Sequence, residues 1–453
     1  MYLSNSCWGL VPPLPNYLCM LDLFLLLAKN KKTEGITVFK VFCSSNEAKG
    51  IFIYMDKMSG KQTSLILIIV VFYWFAQYVY IPYQTPYLNL IHVSSNFIGA
   101  IVGAYGISQL LLRLPVGIAA DINGNHKFFI IFGTFCAGIS SLLRIFLPTG
   151  IGFFIGNLLS GTASATWISF MVLYMSYYSK THQAIATSKI ILANNLGMLL
   201  AFVTSTFLYD IVGMRWICFF SFTAGMIGCA LSFFIHQMKP TKPQELTIMN
   251  LLKVGKDKNL LVFSILALIQ QGVQMSSTMS FTNQIIKDLG ANNTIVGLSS
   301  IIYMSSAVLF AKSASTNLIE KISKKHWISI IFYCLGIYCF LVSHTSSIGF
   351  ICILQIIPGI ATGILFSLLT SEAMQTIDPR KRSTAMGLFQ AIYAIGMTIF
   401  PIISGILNER ISIKATYSFL ATSCLIAVFV SSTYFNSAAR KIKQPQKWSS
   451  KEM

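Results

Sequence analysis

Several stretches of this chain stay apolar for long enough to cross a lipid bilayer, and this limits its fold more than any motif does. Ile66 to Pro82, Phe128 to Leu143, Met214 to Ile235, Trp327 to Ser343, Ile348 to Leu369 and Tyr417 to Phe435 are such runs. A hydrocarbon core about 30 Å thick takes about 20 apolar residues as a helix. Within it, backbone groups must bond inside the segment or within a closed barrel. The runs lack the alternation of barrel strands, so helices are expected. Composition agrees: 55% of the 453 residues are hydrophobic and 10% are charged, against about a quarter charged in a soluble domain.

Twelve spans are expected, near 64–87, 96–119, 128–147, 150–177, 184–208, 214–235, 260–283, 295–313, 327–344, 347–371, 384–406 and 416–435. Lys127, Lys180, Lys239, Lys242, Lys253, Lys256, Lys258, Lys321, Lys324, Lys325, Arg380, Lys381 and Arg382 fall on one side, with Arg440 to Lys451 in the tail. The opposite loops carry Arg215, Lys287, Arg410 and Lys414. The bias toward positive cytoplasmic loops makes the first side, and both ends of the bundle, cytoplasmic. It also accounts for the net charge of +19 without a nucleic-acid partner. The ten Cys are scattered singly, with no CxxC and no His pairing, and read as packing residues. No metal, cofactor or catalytic residue is expected.

The expected organisation is an extension over 1–60, a six-helix bundle over 61–235, a cytoplasmic linker over 236–259, a second six-helix bundle over 260–435 and a basic tail over 436–453. In the extension, Tyr17 to Ala28 is too short to span and contains Asp22, and Met55 or Met58 is read as the true start. The two bundles repeat. Ala186 and Gly197-Met198 answer Ala385 and Gly396-Met397 at an offset of 199, as Asp121 answers Glu320, while Gly161 answers Gly359 at 198. A tandem repeat of this kind puts a solute pathway between the halves, near the membrane midplane.

After the second span comes Gly117-Ile-Ala-Ala-Asp121-Ile-Asn-Gly124-Asn125-His126-Lys127, with a weaker copy at Thr316 to Lys325 containing Glu320, Lys321, Lys324 and Lys325. This resembles the signature loop of the major facilitator superfamily, Gly-x-x-x-Asp-x-x-Gly followed by basic residues, and the resemblance covers roughly residues 60 to 435. It implies an all-α membrane protein of twelve helices in two pseudo-symmetric halves. It also implies that Gly117, Asp121, Gly124, Lys127, Glu320, Lys324 and Lys325 form a gating motif. Physically, Gly117 would let two helices approach closely. Asp121 would face the N-terminus of the eleventh span and Glu320 that of the fifth, where a helix dipole favours a carboxylate. The chain departs from the family in three places. Asn125 and His126 replace the first basic residues. Asn157 stands where proton-coupled members carry a fourth-span Arg. Ala201-Phe202 replaces the Gly-Pro of drug/proton antiporters.

Ionisable residues inside spans are functional candidates by default. Tyr105, Gln109 and Arg113 share one face of the second span, four residues apart. That face is read as cavity lining, the alternative being an arginine that snorkels to the headgroups. Lys189 in the fifth span could snorkel as readily. Further cavity candidates are Gln77 and Tyr80 in the first span, Asn157 in the fourth, Asn194 in the fifth, Gln270 and Gln274 in the seventh, Gln355 in the tenth, and Gln390 and Tyr393 in the eleventh. Asp210, Glu372 and Glu409 lie at span ends, so the cavity is neutral to positive. The expected function is secondary transport of a small neutral or anionic solute across the cytoplasmic membrane by alternating access, with any coupling proton or ion left open. One chain holds a whole pathway, so a monomer is expected. The alternatives are a multidrug/proton antiporter exporting cationic or amphipathic compounds and, from another class, an integral-membrane enzyme. The first lacks a cavity carboxylate and the second a motif such as HExxH.

Overall fold

A computed structural model of the chain describes residues 46–178, 183–237, 255–313, 324–377 and 382–443. The chain divides into two units, Met1–Asp56 and Lys57–Met453, and the spans lie in the second. The expected extension up to residue 45, the middle of the linker and Glu320 lie outside the described residues. So do the side chains of Asp121 and Lys325.

Among the described residues, eleven helices are long and apolar enough to cross a membrane. They are α1 (Gly60–Leu90), α2 (Ser95–Ala120), α3 (His126–Phe146) and α4 (Gly150–Ser176), then a stretch over Ala186–Ser232. There follow α7 (Lys258–Asp288), α8 (Asn293–Ala311), α9 (His326–His344), α10 (Ile348–Gln375), α11 (Ala385–Arg410) and α12 (Ile413–Asn436). The Ala186–Ser232 stretch is broken at Gly213, whose φ of 73° and ψ of 175° no helix accommodates. Glycine reaches that conformation without steric penalty. Read across the break, the stretch is α5 (186–212) and α6 (214–232), and the eleven become twelve.

Local chemistry explains several of the boundaries. Asn125, Thr149, Asp257 and Ser347 accept from the backbone of the first turns of α3, α4, α7 and α10, as N-caps do. In α1 the helix breaks before Ile81, where Pro82 and Pro86 limit backbone bonding. Helices α7 and α10 each contain a π-helical turn, at Ser277–Phe281 and Ala361–Leu365.

The repeat glycines have a packing reason. A Cβ on Gly161 of α4 would lie 2.3 Å from Tyr105 O of α2, and one on Gly359 of α10 would lie 2.7 Å from Tyr303 O of α8. Gly197 and Gly396 press in the same way on α1 at Val71 O (2.6 Å) and on α7 at Leu268 O (2.1 Å). The two halves therefore share their helix–helix contacts as well as their sequence register.

The halves meet tightly at one end, opposite the basic loops and called outer here; the basic end is called inner. On α2 and α11, a Cβ on Gly99 would lie 2.3 Å from Pro401 O, and one on Gly405 2.4 Å from Ser95 O. Glu409 Oε2 accepts from Asn96 N at 2.6 Å, and Asn408 donates to Ser95 Oγ at 2.9 Å. Across α5 and α8, Asp210 accepts from Asn293 Nδ2 at 2.5 Å and from Thr294 Oγ1 at 3.3 Å. Each carboxylate thus bonds the first residues of a helix in the other half. Gly117 differs from expectation: its nearest neighbour would be Ile168 Cδ1 at 3.8 Å, an ordinary contact. In this structure the close backbone approaches between α2 and α11 run from the outer end to mid-span, where a Cβ on Gly103 would lie 2.7 Å from Thr398 O and one on Gly106 2.7 Å from Thr398 N, and do not reach Gly117.

Candidate functional site

A narrow cleft lies between α1, α2, α4 and α7. Gln77, Tyr80 and Gln84 of α1, Tyr105 of α2 and Asn157 of α4 line its polar side, and Met275 and Met279 of α7 face them.

Arg113 is 2% exposed and does not snorkel. Its side chain turns back along α2, away from the inner surface, the direction helical side chains prefer. Nη1 donates to Gln109 Oε1 at 2.7 Å and, across the halves, to Tyr393 OH at 2.9 Å. Its Nη2 reaches Ser164 O at 3.5 Å, and its Nε has no hydrogen-bond partner. Ser164 Oγ joins Tyr105 OH at 2.5 Å and accepts from Gln77 Nε2 at 3.3 Å. Gln77, Tyr105, Gln109, Arg113 and Tyr393 are thereby brought together, and Gln390 lies buried on α11 one turn from Tyr393, with its Oε1 unbonded.

A second guanidinium, absent from the sequence-based candidates, lies behind the wall, bonded to Tyr80 and Asn157, which line it. Arg144 of α3 is 1% exposed. It donates to Ser140 Oγ (3.2 Å), Ser141 Oγ (3.1 Å), Tyr80 OH (2.9 Å), Asn157 Oδ1 (2.8 Å) and Ser160 Oγ (2.9 Å). It also lies 4.0 Å from the Tyr80 ring centroid, a cation–π distance. The fourth span lacks an arginine at Asn157, yet a guanidinium from the third span occupies its surroundings. Arg144 stands three residues from the end of its span, where sequence alone does not separate it from a headgroup anchor. A signal was available in Ser140, Ser141 and Arg144, a polar cluster on one face of an apolar helix.

Other candidates belong to the second half. Gln270 donates to Gln274 (3.1 Å), Gln274 to Tyr303 OH (2.6 Å), and Tyr303 OH meets Thr362 Oγ1 (3.0 Å). Gln355 donates to Ser299 Oγ at 2.9 Å and accepts from Tyr338 OH at 3.2 Å. It packs inside the second half, away from the cleft. Asn194 bonds its neighbour Asn195 at 3.0 Å and does not join the network. Lys189 is exposed, with Nζ 5.5 Å over the Tyr178 ring.

The described part of the loop motif ties helices within one half. Gly124, at φ 57°, makes the turn after α2, and its carbonyl accepts from Gln237 Nε2. Lys127 Nζ donates to Phe233 O at 2.7 Å, and Lys127 N donates to Gln237 Oε1 at 2.8 Å, so Lys127 caps the end of α6. Lys324 pairs with Glu372 of α10 at 2.6 Å. Neither lysine bonds across the halves here.

This architecture is shared with known proteins. The Major Facilitator Superfamily profile matches residues 66–327 and 262–452, and the chain belongs to that family. It is 25% identical over 370 residues to an MFS-type transporter of Methanocaldococcus jannaschii, covering 77% of this chain and 92% of the relative. It is 21% identical over 393 residues to the proton-coupled antiporter flippase LtaA of Staphylococcus haemolyticus, covering 84% and 96%. Among solved structures, the nucleoside transporter NupG superposes with a TM-score of 0.68 at 16% identity, covering 82% of this chain and all of that one. A bacterial homolog of the human lysosomal transporter Spinster, in an inward-facing and unoccupied conformation, gives 0.63 at 13% identity, covering 84% and 97%. The protein is a multi-pass membrane transporter of this superfamily rather than an enzyme, and its partners are a small-molecule substrate and the bilayer.

Proposed function

We propose that the protein is a secondary transporter carrying a small neutral or anionic solute across the cytoplasmic membrane by alternating access, with both ends of the bundle cytoplasmic. The observation that carries this reading is Arg113: a buried guanidinium beside the polar cleft, bonded to Tyr393 of the other half, with no carboxylate within 4.0 Å among the described residues. A fixed positive charge in that position repels cations and attracts anions. The paired contacts of Asp210 and Glu409 at the outer end support a gate that opens when the halves rock. The same cleft weighs against export of cationic drugs, which a carboxylate would serve better.

The test combines binding with transport. Purified protein is titrated with sugars, amino acids, nucleosides, organic anions and cationic drugs while its thermal midpoint is followed. A bound solute stabilises by RT ln(1 + [L]/Kd), about 2.7 kcal/mol at 100 Kd. A neutral or anionic solute is expected to stabilise the native protein and to enter proteoliposomes, with both effects weakened at least about tenfold in Arg113→Ala. Stabilisation by cationic drugs alone, equal in native protein and variant, would overturn the proposal.

A further inference from the structure

The two halves contain the same polar knot, built with different chemistry. Tyr80, Ile101, Asn157 and Ser164 of the first half stand 198 positions before Thr278, Ser299, Gln355 and Thr362 of the second. Asn157 Nδ2 donates to Ile101 O (2.7 Å), and Gln355 Nε2 donates to Ser299 Oγ (2.9 Å). The amide oxygen of Asn157 accepts from Arg144, that of Gln355 from the Tyr338 hydroxyl. In the same register Arg144 corresponds to Val342, while Arg113 corresponds to Ala311, or to Lys312 at the offset of 199 that relates Asp121 to Glu320. The second half closes its knot without charge, so packing alone does not require a guanidinium in the first.

We infer that the transported solute is a dianion, held by Arg113 and Arg144 together. This rests on the reading of the cleft as the transport site. Arg144 donates to the oxygen of Tyr80, which lines the cleft, so the Tyr80 proton is left to point elsewhere. Its available protein acceptor, Ser160 Oγ, lies at 3.3 Å, long for a hydroxyl pair. A solute oxygen is the better acceptor, and the arginine makes Tyr80 a charge-assisted donor toward it. Arg113 offers an unbonded Nε and a weakly held Nη2. The guanidinia contact α4 at Ser160 and Ser164, one turn or about 6 Å apart along the axis. A short dicarboxylate places two negative charges over such a span, and a phosphomonoester places both on one group whose oxygens can face both guanidinia. Two buried cations without carboxylates are costly; a monoanion neutralises one and a dianion both.

The experiment titrates the purified full chain at near-neutral pH with matched probes that differ by one charge: succinate against succinamate, and glycerol phosphate against its methyl ester. Glucose is the neutral control, and Kd is read from the shift in thermal midpoint. At least one dianion is expected to bind about tenfold or more tighter than its monoanionic partner. That ratio should fall to near one in Arg144→Gln and persist in Arg144→Lys, which keeps the charge. Whichever pair shows the ratio separates carboxylate from phosphate recognition. If Arg144→Gln is not monodisperse, Arg113→Gln reads the same ratio from the other cation. Equal binding of dianion and monoanion, or a ratio that survives both Gln variants, overturns the inference. A neutral solute whose binding and uptake depend on Arg113 sinks the dianion while leaving the transport reading intact. No binding and no uptake of any probe sinks both.

Discussion

The charged knot around Arg144 and the neutral knot around Tyr338 occupy matching places in the two halves. In each, one amide on the fourth helix ties the second and third helices of its bundle, and the group it accepts from reaches the first, Arg144 to Tyr80 and Tyr338 to Thr282. The backbone contacts beneath them match as well: Gly161 on Tyr105 and Gly359 on Tyr303, with Tyr105–Ser164 and Tyr303–Thr362 hydrogen bonds beside them. The shared features are those a helical bundle in lipid needs, namely close backbone approach and interhelical hydrogen bonds. What differs is the charge of the knot, Arg144 in the first half against the Tyr338 hydroxyl in the second. The repeat acts as an internal control, separating what the fold requires from what was added to it.

The largest expected difference comes from cutting the amide in each knot. Asn157→Leu leaves a buried guanidinium short of an acceptor and should destabilise by about 3 kcal/mol. Gln355→Leu leaves a neutral phenol and a serine hydroxyl short of partners, and should destabilise by about 1–2 kcal/mol. Equilibrium unfolding in mixed detergent micelles measures both. Equal losses would mean that Arg144 is as well satisfied without Asn157 as with it, and would remove the energetic distinction between the knots.

The glycine contacts should behave alike in the two halves. Gly161→Ala and Gly359→Ala each push a methyl group against backbone and side-chain atoms, and overpacking of this kind destabilises by about 1–3 kcal/mol. The same unfolding assay should rank them together, with Gly117→Ala within about 0.5 kcal/mol of native because its Cβ meets only ordinary contact. A damaging Gly117→Ala would show that the inner ends pack tightly in another conformation of the cycle.

Much of this architecture was legible because lipid imposes simple rules. Span number follows from apolar length, and the break at Gly213 was visible as the gap between the fifth and sixth runs. The repeat was legible from Gly161, Gly197, Gly359 and Gly396, since a position that presses on a neighbouring backbone tolerates no other side chain. The site was legible only in part. Arg113 stood out because it lies deep in its span. Arg144 did not, because depth in the sequence and depth in the bundle differ: its Cα is near the outer end, but its side chain reaches inward to Asn157 on another helix. Asn194 and Gln355 lie away from the cleft in this structure for the converse reason, since polarity in a span does not say which side of the helix faces the cleft. The charge-bias argument likewise passed over Arg144, which is not a loop residue at all.

The smallest effects, and the most diagnostic for movement, concern the outer carboxylates. Asp210 and Glu409 are 199 positions apart, and each bonds the start of a helix in the opposite half, Asn293 and Thr294 of α8 for Asp210 and Asn96 of α2 for Glu409. A carboxylate at a helix N-terminus contributes about 0.3–1 kcal/mol, so Asp210→Asn or Glu409→Gln should raise local opening roughly twofold to fivefold. Amide hydrogen exchange over the first turns of α2 and α8 reads this directly. If the two contacts are independent caps, each variant accelerates exchange only in the helix it touches. If they are two halves of one gate, opening either mouth separates both pairs, so each single variant should accelerate exchange at both helix starts. The double variant should then add the two free energies, as distant sites do. Acceleration confined to the mutated side would assign these acids to helix capping and leave the outer gate to the Gly99–Gly405 contact.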